Sequence, residues 1–291
     1  MDTRFLETFL AVADCGSIAE AARRLNLTPA ALAQRLRVLE QDLGHTLVER
    51  AGRTVQPTAA GRAVMAHARG VVESVRDLRA IASDGVPGGL LRLGATATAL
   101  TGLLPAVIER LARAHPDIDY FVQPGSSADH YHRVVDGTLD AALIVRPQFE
   151  IPKATDWLTL RVERLVLIVP EDAPDLPPDA LLATYRFIRY DRAQWGGHIV
   201  DRYLRDHAIA VDEWLELDAL DAIAALVNRG LGAAIVPDWA PPWPEGLRLR
   251  KIALPDGGAR ETGVIWQRWG PRHAAIDAFV AACRAAHPVP G

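Results

Sequence analysis

The stretch SIAEAARRLNLTPAALAQRLRVLEQDLG, Ser17 to Gly44, predicts two short helices joined by a tight turn. Ser17 supplies a capping hydroxyl, and Glu20 three residues later completes a capping-box pattern. Ala21, Ala22 and Leu25 form the apolar face of the first helix. Asn26 and Leu27 make the turn. Thr28 then caps a second helix that has Pro29 at its favoured first position. In that helix Leu32, Leu36, Leu39 and Leu43 recur every three or four residues, so one stripe is buried and the opposite face is left free. The free face carries Ala30, Ala33, Gln34 and Arg37. Small residues beside a Gln and an Arg suit a helix that approaches base edges and phosphates in a major groove. An antiparallel helix pair with a solvated polar face satisfies the same spacing.

Working outward, Phe5, Phe9 and Val12, flanked by Leu6, Leu10 and Ala13, predict a preceding helix that packs under this pair. After Gly44, Leu47-Val48 and Thr54-Val55 are short β-like pieces around Ala51-Gly52, which predicts a hairpin. Arg50 and Arg53 flank its tip, within reach of phosphates if the second helix meets DNA. Thr58 caps a long helix reaching about Ser83. Along it Val64, Ala68, Val71, Val75, Leu78 and Ala82 alternate in steps of four and three, a heptad seam that calls for a partner helix, most simply a second copy. A dimer would carry two recognition helices, as a two-fold DNA site requires.

Asp84 to Gly89 is the clearest linker. Beyond it strands and helices alternate. Leu90 to Ala97, Ile118 to Pro124 and Leu139 to Val145 read as strands, Thr101 to Ala114 and Asp129 to Gly137 as helices. A second α/β unit opens at Arg164 to Pro170. It continues through a strand at Phe187, helices at His198 to His207 and Ala219 to Asn228, and a strand at Ala233 to Pro237. A strand at Gly263 and a helix from about Arg272 to Ala286 close the chain. This alternation predicts a mostly parallel sheet.

The 291 residues allow two or three domains, and 49% hydrophobic residues suffice for a sizeable core. The formal net charge of −4 excludes a chain that is basic throughout. Residues 1–58 carry seven arginines against seven acids, so only the placement of the arginines favours DNA. The two cysteines, Cys15 and Cys283, lack ligand-like spacing and read as free thiols. The N-terminus enters an amphipathic pattern at once, and no run of about 18 apolar residues occurs, which predicts a cytoplasmic protein.

The run FLETFLAVADCGSIAEAARRLNLTPAALAQRLRVLEQDLGHTLVER, closed by Thr58-Ala59-Ala60-Gly61, resembles the winged helix-turn-helix of LysR-type transcriptional regulators. The agreement runs through Gly16-Ser17, Ala21-Ala22-Leu25, Ala31-Leu32, Leu36, Leu39-Glu40, Leu43-Gly44, Leu47 and Glu49-Arg50. ALVNRGLGAAIVP near the C-terminus resembles that family's effector domain. The resemblance implies an α/β protein with a DNA-binding domain at 1–58, a dimerising linker helix at 59–83 and a linker at 84–89. An effector domain like that of periplasmic binding proteins follows at 90–291. Its lobe I would span about 90–161 and 263–291, and its lobe II about 162–262, with crossovers near Leu160 to Glu163 and Glu261 to Gly263. It further implies a homotetramer built as a dimer of dimers, an interrupted-palindrome promoter site, contact with RNA polymerase and a small-molecule effector. Positions the family uses on DNA correspond to Ser17, Thr28, Pro29, Ala30, Ala33, Gln34 and Arg37, with Arg50 and Arg53 on phosphates. Pro29 stands where the family usually has Gln, Ala33 where it usually has Ser, and Val48 replaces a usual aromatic.

Ligands of open α/β sheets lie outside the carboxyl ends of strands, and in two-lobed domains between the lobes. That rule nominates Thr96, Thr98 and Thr101, the N-terminus of the helix they lead into, and Ser126, Ser127, Arg146, Trp195 and Asp218. Arg146 with helix amides suits a carboxylate, and Trp195 an apolar or aromatic portion. The same hydroxyls also serve as plain helix caps, and Arg146 equally suits a surface ion pair. No GxSxG, GxxxxGK[ST], HExxH or GxGxxG pattern occurs, so no enzyme and no cofactor is expected. His130 and His132 alternate on a helix and face different ways, against a metal site. The alternative reading is a cytoplasmic solute-binding protein or enzyme with an accessory helix-turn-helix. A purely architectural DNA-binding protein has no use for about 200 residues of ligand-type domain.

Overall fold

The computed structural model describes residues 2–52, 54–81, 87–254, 256–269 and 272–288. The chain divides into two compact units, Met1–Asp84 and Gly85–Gly291.

In the first unit α1 (Thr3–Cys15), α2 (Ile18–Arg24) and α3 (Pro29–Leu43) close on Leu6, Phe9, Val12, Ala21, Ala22, Leu32, Leu36 and Leu39, all buried. Local chemistry sets each boundary. Gly16 ends α1 at φ +62, where its missing Cβ removes the left-handed penalty. The Thr28 side chain accepts the Ala31 N–H at 3.2 Å at the start of α3. The antiparallel hairpin of β1 (Val48–Ala51) and β2 (Thr54–Pro57) follows, with Arg50 opposite Val55. Glu40 anchors it, accepting the Leu47 and Val48 N–H groups at 2.8 and 3.3 Å, and the Val55 N–H donates to the Gly16 carbonyl at 2.8 Å.

The long helix α4 (Ala59–Ile81) is fastened to this hairpin. Thr58 donates its hydroxyl to the Thr46 carbonyl at 2.7 Å and its N–H to the Leu47 carbonyl at 3.0 Å, while its Oγ1 accepts the Gly61 N–H at 3.0 Å. A Cβ on Gly61 would lie 2.0 Å from the Leu47 carbonyl oxygen, so only glycine permits this approach. The heptad seam is divided. Ala68 is 2% exposed within the unit's own core, with Val64 packed against that core, whereas Val71 and Leu78 are 42% and 63% exposed. The first half of the seam packs inward, because α1 lies against α4 there. Val75 is half-buried, and Ala82 lies outside the described residues.

The second unit has two lobes. β3 (Gly89–Ala95) pairs in parallel with β4 (Ile118–Pro124) and β5 (Ala141–Val145), with α5 (Ala97–Gly102), α6 (Leu104–Ala114) and α7 (Ser127–Val135) as connections. The long strand β6 (Thr155–Pro170) leads into α8 (Pro178–Thr184), β7 (Phe187–Tyr190), α9 (Trp195–Asp206), β8 (Glu213–Leu217), α10 (Leu220–Asn228), β9 (Ala234–Pro237) and β10 (Leu249–Ala253). β11 (Ala259–Gln267) and α11 (His273–Ala286) return to the first lobe. One half of β6 pairs antiparallel with β11 and the other with β9 and β10, so the two lobes hang on a paired ribbon. Each lobe has its own core, Leu91, Leu93, Val107 and Phe279 in one, Leu167, Phe187, Ile223 and Trp239 in the other. The ladder shifts register between Thr262 and Gly263. There a Cβ on Gly263 would lie 2.2 Å from the Leu158 carbonyl oxygen.

Three expectations change. The sheet is mixed rather than mostly parallel, because β6 and β11 run antiparallel to their neighbours. The helix expected at 101–114 begins earlier and breaks at Leu103 into α5 and α6, with Pro105 in the first turn of the second. The segments α8, β8 and β10 had no periodicity long enough to announce them. Among the described residues no helix is long and apolar enough to cross a membrane. Both cysteines are free, and burial pushes the Cys283 thiol up to about 12.

Candidate functional site

On the first unit, α3 turns Leu32, Leu36 and Leu39 inward, which fixes its opposite face outward. Thr28, Pro29, Ala30, Gln34 and Arg37 are exposed there, and Ala33 is half-buried. The Arg37 guanidinium reaches the Gln34 side-chain oxygen at 3.5 Å, so the two polar groups sit side by side. Ser17 caps α2, accepting the Glu20 N–H at 3.4 Å, while the Glu20 carboxylate pairs with Arg23. Arg50 is exposed on the hairpin, and Arg53 lies outside the described residues.

In the second unit a cavity of about 350 Å³ opens at the strand ends. One lobe lines it with Thr96, Thr98, Gly125, Ser126 and Ser127, the other with Tyr190, Gln194, Trp195, Asp218 and Asp221, and Arg260 enters from the crossing strand β11. Of the residues the sequence nominates, Thr96, Thr98, Ser126, Ser127, Trp195 and Asp218 meet here. Two do not. Arg146 turns aside to pair with Glu261 at 2.8 Å, a carboxylate that also accepts the Thr159 hydroxyl at 2.7 Å. Thr101 is exposed and spends its hydroxyl on the carbonyls of Ala97 and Thr98, one helical turn back.

Arg260 is the cation the sequence reading missed. It is 2% exposed and bonded through Nε to Glu163 Oε2 at 2.5 Å and through Nη2 to Thr98 Oγ1 at 3.2 Å. Glu163 is equally buried and accepts the Ala240 N–H at 3.1 Å and the Thr262 hydroxyl at 3.3 Å. A buried charge held this way keeps its orientation. The crossover expected near Glu261 lies one residue away, and that proximity is the available signal. Burial raises the Tyr190 phenol, against the pull of neighbouring Arg260. Burial and the like charge of Asp191 raise the Asp218 carboxyl above the usual range, against the pull of Arg260.

The hydroxyls differ in availability. Thr96 Oγ1 is buried with no hydrogen-bond partner, and it does not cap α5. Ser126 caps α7 through the Asp129 N–H at 3.1 Å, and Ser127 accepts the Val145 N–H at 3.1 Å. Helices α9 and α10 have no side-chain cap. Trp195 is held edge-on by Tyr131 and Phe149, at ring separations of 5.8 and 5.7 Å. His130 is buried and His132 exposed, and among the described residues no three His, Cys, Asp or Glu side chains group as metal ligands.

Comparison with known proteins places both units in one family. The family profile for the bacterial regulatory helix-turn-helix protein of the lysR family matches residues 3–62, and that for the LysR substrate binding domain matches residues 84–288. The chain is 28% identical to the HTH-type transcriptional activator IlvY of Salmonella typhimurium over 297 residues, covering 96% of this chain and 98% of that one. It is 27% identical to the HTH-type transcriptional regulator CzcR of Bacillus cereus over 241 residues, covering 82% and 81%. The crystal structure of full-length CbnR complexed with its target DNA superposes with a TM-score of 0.68 at 21% identity, covering 98% of this chain and 100% of that one. A helix-turn-helix unit and a ligand-type unit thus match one family in order along almost the whole chain, and the protein is a member of the LysR family of DNA-binding transcriptional regulators.

Proposed function

We propose that the chain binds a specific double-stranded DNA site through Ala30, Gln34 and Arg37, with Arg50 and Arg53 on phosphates, and that a small carboxylate-bearing effector in the second unit's cavity switches that binding. The observation carrying the DNA half is the outward face of α3, where small residues flank an adjacent Gln and Arg. The observation supporting the effector half is Arg260, fixed at the cavity by Glu163.

Self-association through the exposed part of α4, Val71 and Leu78 with Val75, supports a dimer whose two α3 helices meet successive half-sites. A dimer of dimers, an interrupted palindrome, contact with RNA polymerase and action in the cytoplasm complete the proposal by analogy with the family.

An anisotropy titration against the chain's own upstream DNA tests the first half. Wild type binds that DNA well above scrambled sequence, and Gln34→Ala and Arg37→Ala each lose about 1–3 kcal/mol of the preference. With arginines and acids balanced in residues 1–58, the salt dependence is shallow. Equal binding to both DNAs at low salt rejects the assignment.

A further inference from the structure

The charges around the cavity are not those of a site for an anion alone. Arg260 is neutralised where it stands by Glu163, and together they present no net charge to a ligand. The other lobe adds Asp218 and Asp221, both lining the cavity. Both are exposed to solvent, and neither carboxylate makes a hydrogen bond or ion pair with a described residue. An acid near a helix N-terminus is ordinarily explained as a cap. Asp218 caps nothing, since the N-cap of α10 is Ala219 and lacks a side-chain bond. Partial burial and the like charge of Asp191 hold its carboxyl above the usual range.

The opposite wall has the other character. Arg260 and Thr98 are joined at 3.2 Å, and the buried Thr96 hydroxyl lacks a partner. A group with carboxylate oxygens satisfies both, while leaving Asp218 and Asp221 unanswered. Trp195 lines the cavity from the same lobe as Asp218, and a cavity lined by both an indole and a carboxylate is a setting that attracts an ammonium. The cavity volume, about 350 Å³, is at the small end for ligand sites, which limits the occupant to a small metabolite.

We propose that the ligand is a zwitterion of the α-amino-acid class, its carboxylate held by Arg260, Thr98 and Thr96 and its ammonium by Asp218 and Asp221 beside Trp195. This rests on the reading of the cavity as the effector site.

Isothermal titration of the full-length chain with the proteinogenic L-amino acids, and with the 2-hydroxy acids bearing the same side chains, tests it. At least one amino acid binds, and its hydroxy-acid counterpart, lacking only the charged nitrogen, binds on the order of 30-fold more weakly or worse. Asp218→Asn abolishes that discrimination and Asp221→Asn reduces it, while circular dichroism stays that of wild type. Thr98→Val weakens amino and hydroxy acids alike.

Hydroxy acids that bind as tightly as amino acids, and are weakened by Thr98→Val, overturn the zwitterion and leave the cavity reading standing. Binding that neither Asp218→Asn nor Thr98→Val alters moves the ligand elsewhere and overturns both. An absence of binding by every amino acid tested overturns the zwitterion.

Discussion

The outward face of α3 and the cavity of the second unit are the two surfaces proposed for a partner, but they are built over different distances along the chain. Every residue of the α3 face lies between Thr28 and Arg37, on a helix whose cap, first-turn proline and buried stripe belong to one continuous segment, Thr28 to Leu43. The cavity draws on Thr96, Ser126, Tyr190, Asp218 and Arg260, five elements that meet only when two antiparallel strands have paired. Local surfaces fail locally, whereas assembled ones fail when the connection between their elements fails.

The sharpest way to break this contrast is Arg260→Ala. It leaves Glu163 buried and unpaired, and the expected loss is about 3–5 kcal/mol from the second unit. Hydrogen exchange on β6 and β11 amides reads the loss, and amides of α1 to α3 keep their protection. The double variant Arg260→Met, Glu163→Leu restores most of the stability without restoring ligand binding. Unchanged protection of β6 in the single variant means that the ion pair does not hold the lobes.

A smaller effect sharpens the contrast from the other side. Gly61→Ala places a methyl group 2.0 Å from the Leu47 carbonyl oxygen. The start of α4 must then shift, at about 1–3 kcal/mol. In urea denaturation the transition of the first unit moves to lower concentration. An unmoved midpoint means that α4 is not fastened there.

The smallest effect follows from Asp218. Its carboxyl, exposed but partly desolvated, is raised by that desolvation and by Asp191, so the folded chain holds that proton more tightly than the unfolded chain does. The stability it contributes is full below the ordinary carboxylate range, near pH 4, and is lost as pH rises through its own raised value. Asparagine cannot ionise. Asp218→Asn therefore raises Tm by about 1–2 °C at neutral pH, a small gain because solvent screens the exposed group. The difference vanishes below about pH 4. A difference that persists in acid assigns the effect to packing instead.

The same contrast explains what was legible. Ser17, Asn26, Thr28 and Gly44 act through backbone groups no more than a few residues away, and their types alone name their conformations. Six of the eight residues that the strand-end rule nominates line one cavity, because a strand followed by hydroxyl residues carries its own direction. It took Arg146 for the cation because Arg146 follows a strand, but the bond to Glu261 is 115 residues long in sequence and left no local mark. Arg260 was hidden for the same reason, its partners Glu163 and Thr98 being 97 and 162 residues away. The seam on α4 was visible as a period, yet nothing in the period says which half faces its own core. The burial of Ala68 and exposure of Leu78 decide that through the position of α1.

The fastening of α4 also has a mechanical meaning. Twenty-three residues at about 1.5 Å each make a rod of roughly 35 Å. Its root is bolted to the hairpin by Thr58 and by the glycine seat at Leu47. A joint with no slack transmits torque. A turn of the rod about its own axis swings the hairpin, and with it Arg50, through the same angle, so in the proposed dimer the spacing between the two hairpins is geared to the twist of their rods.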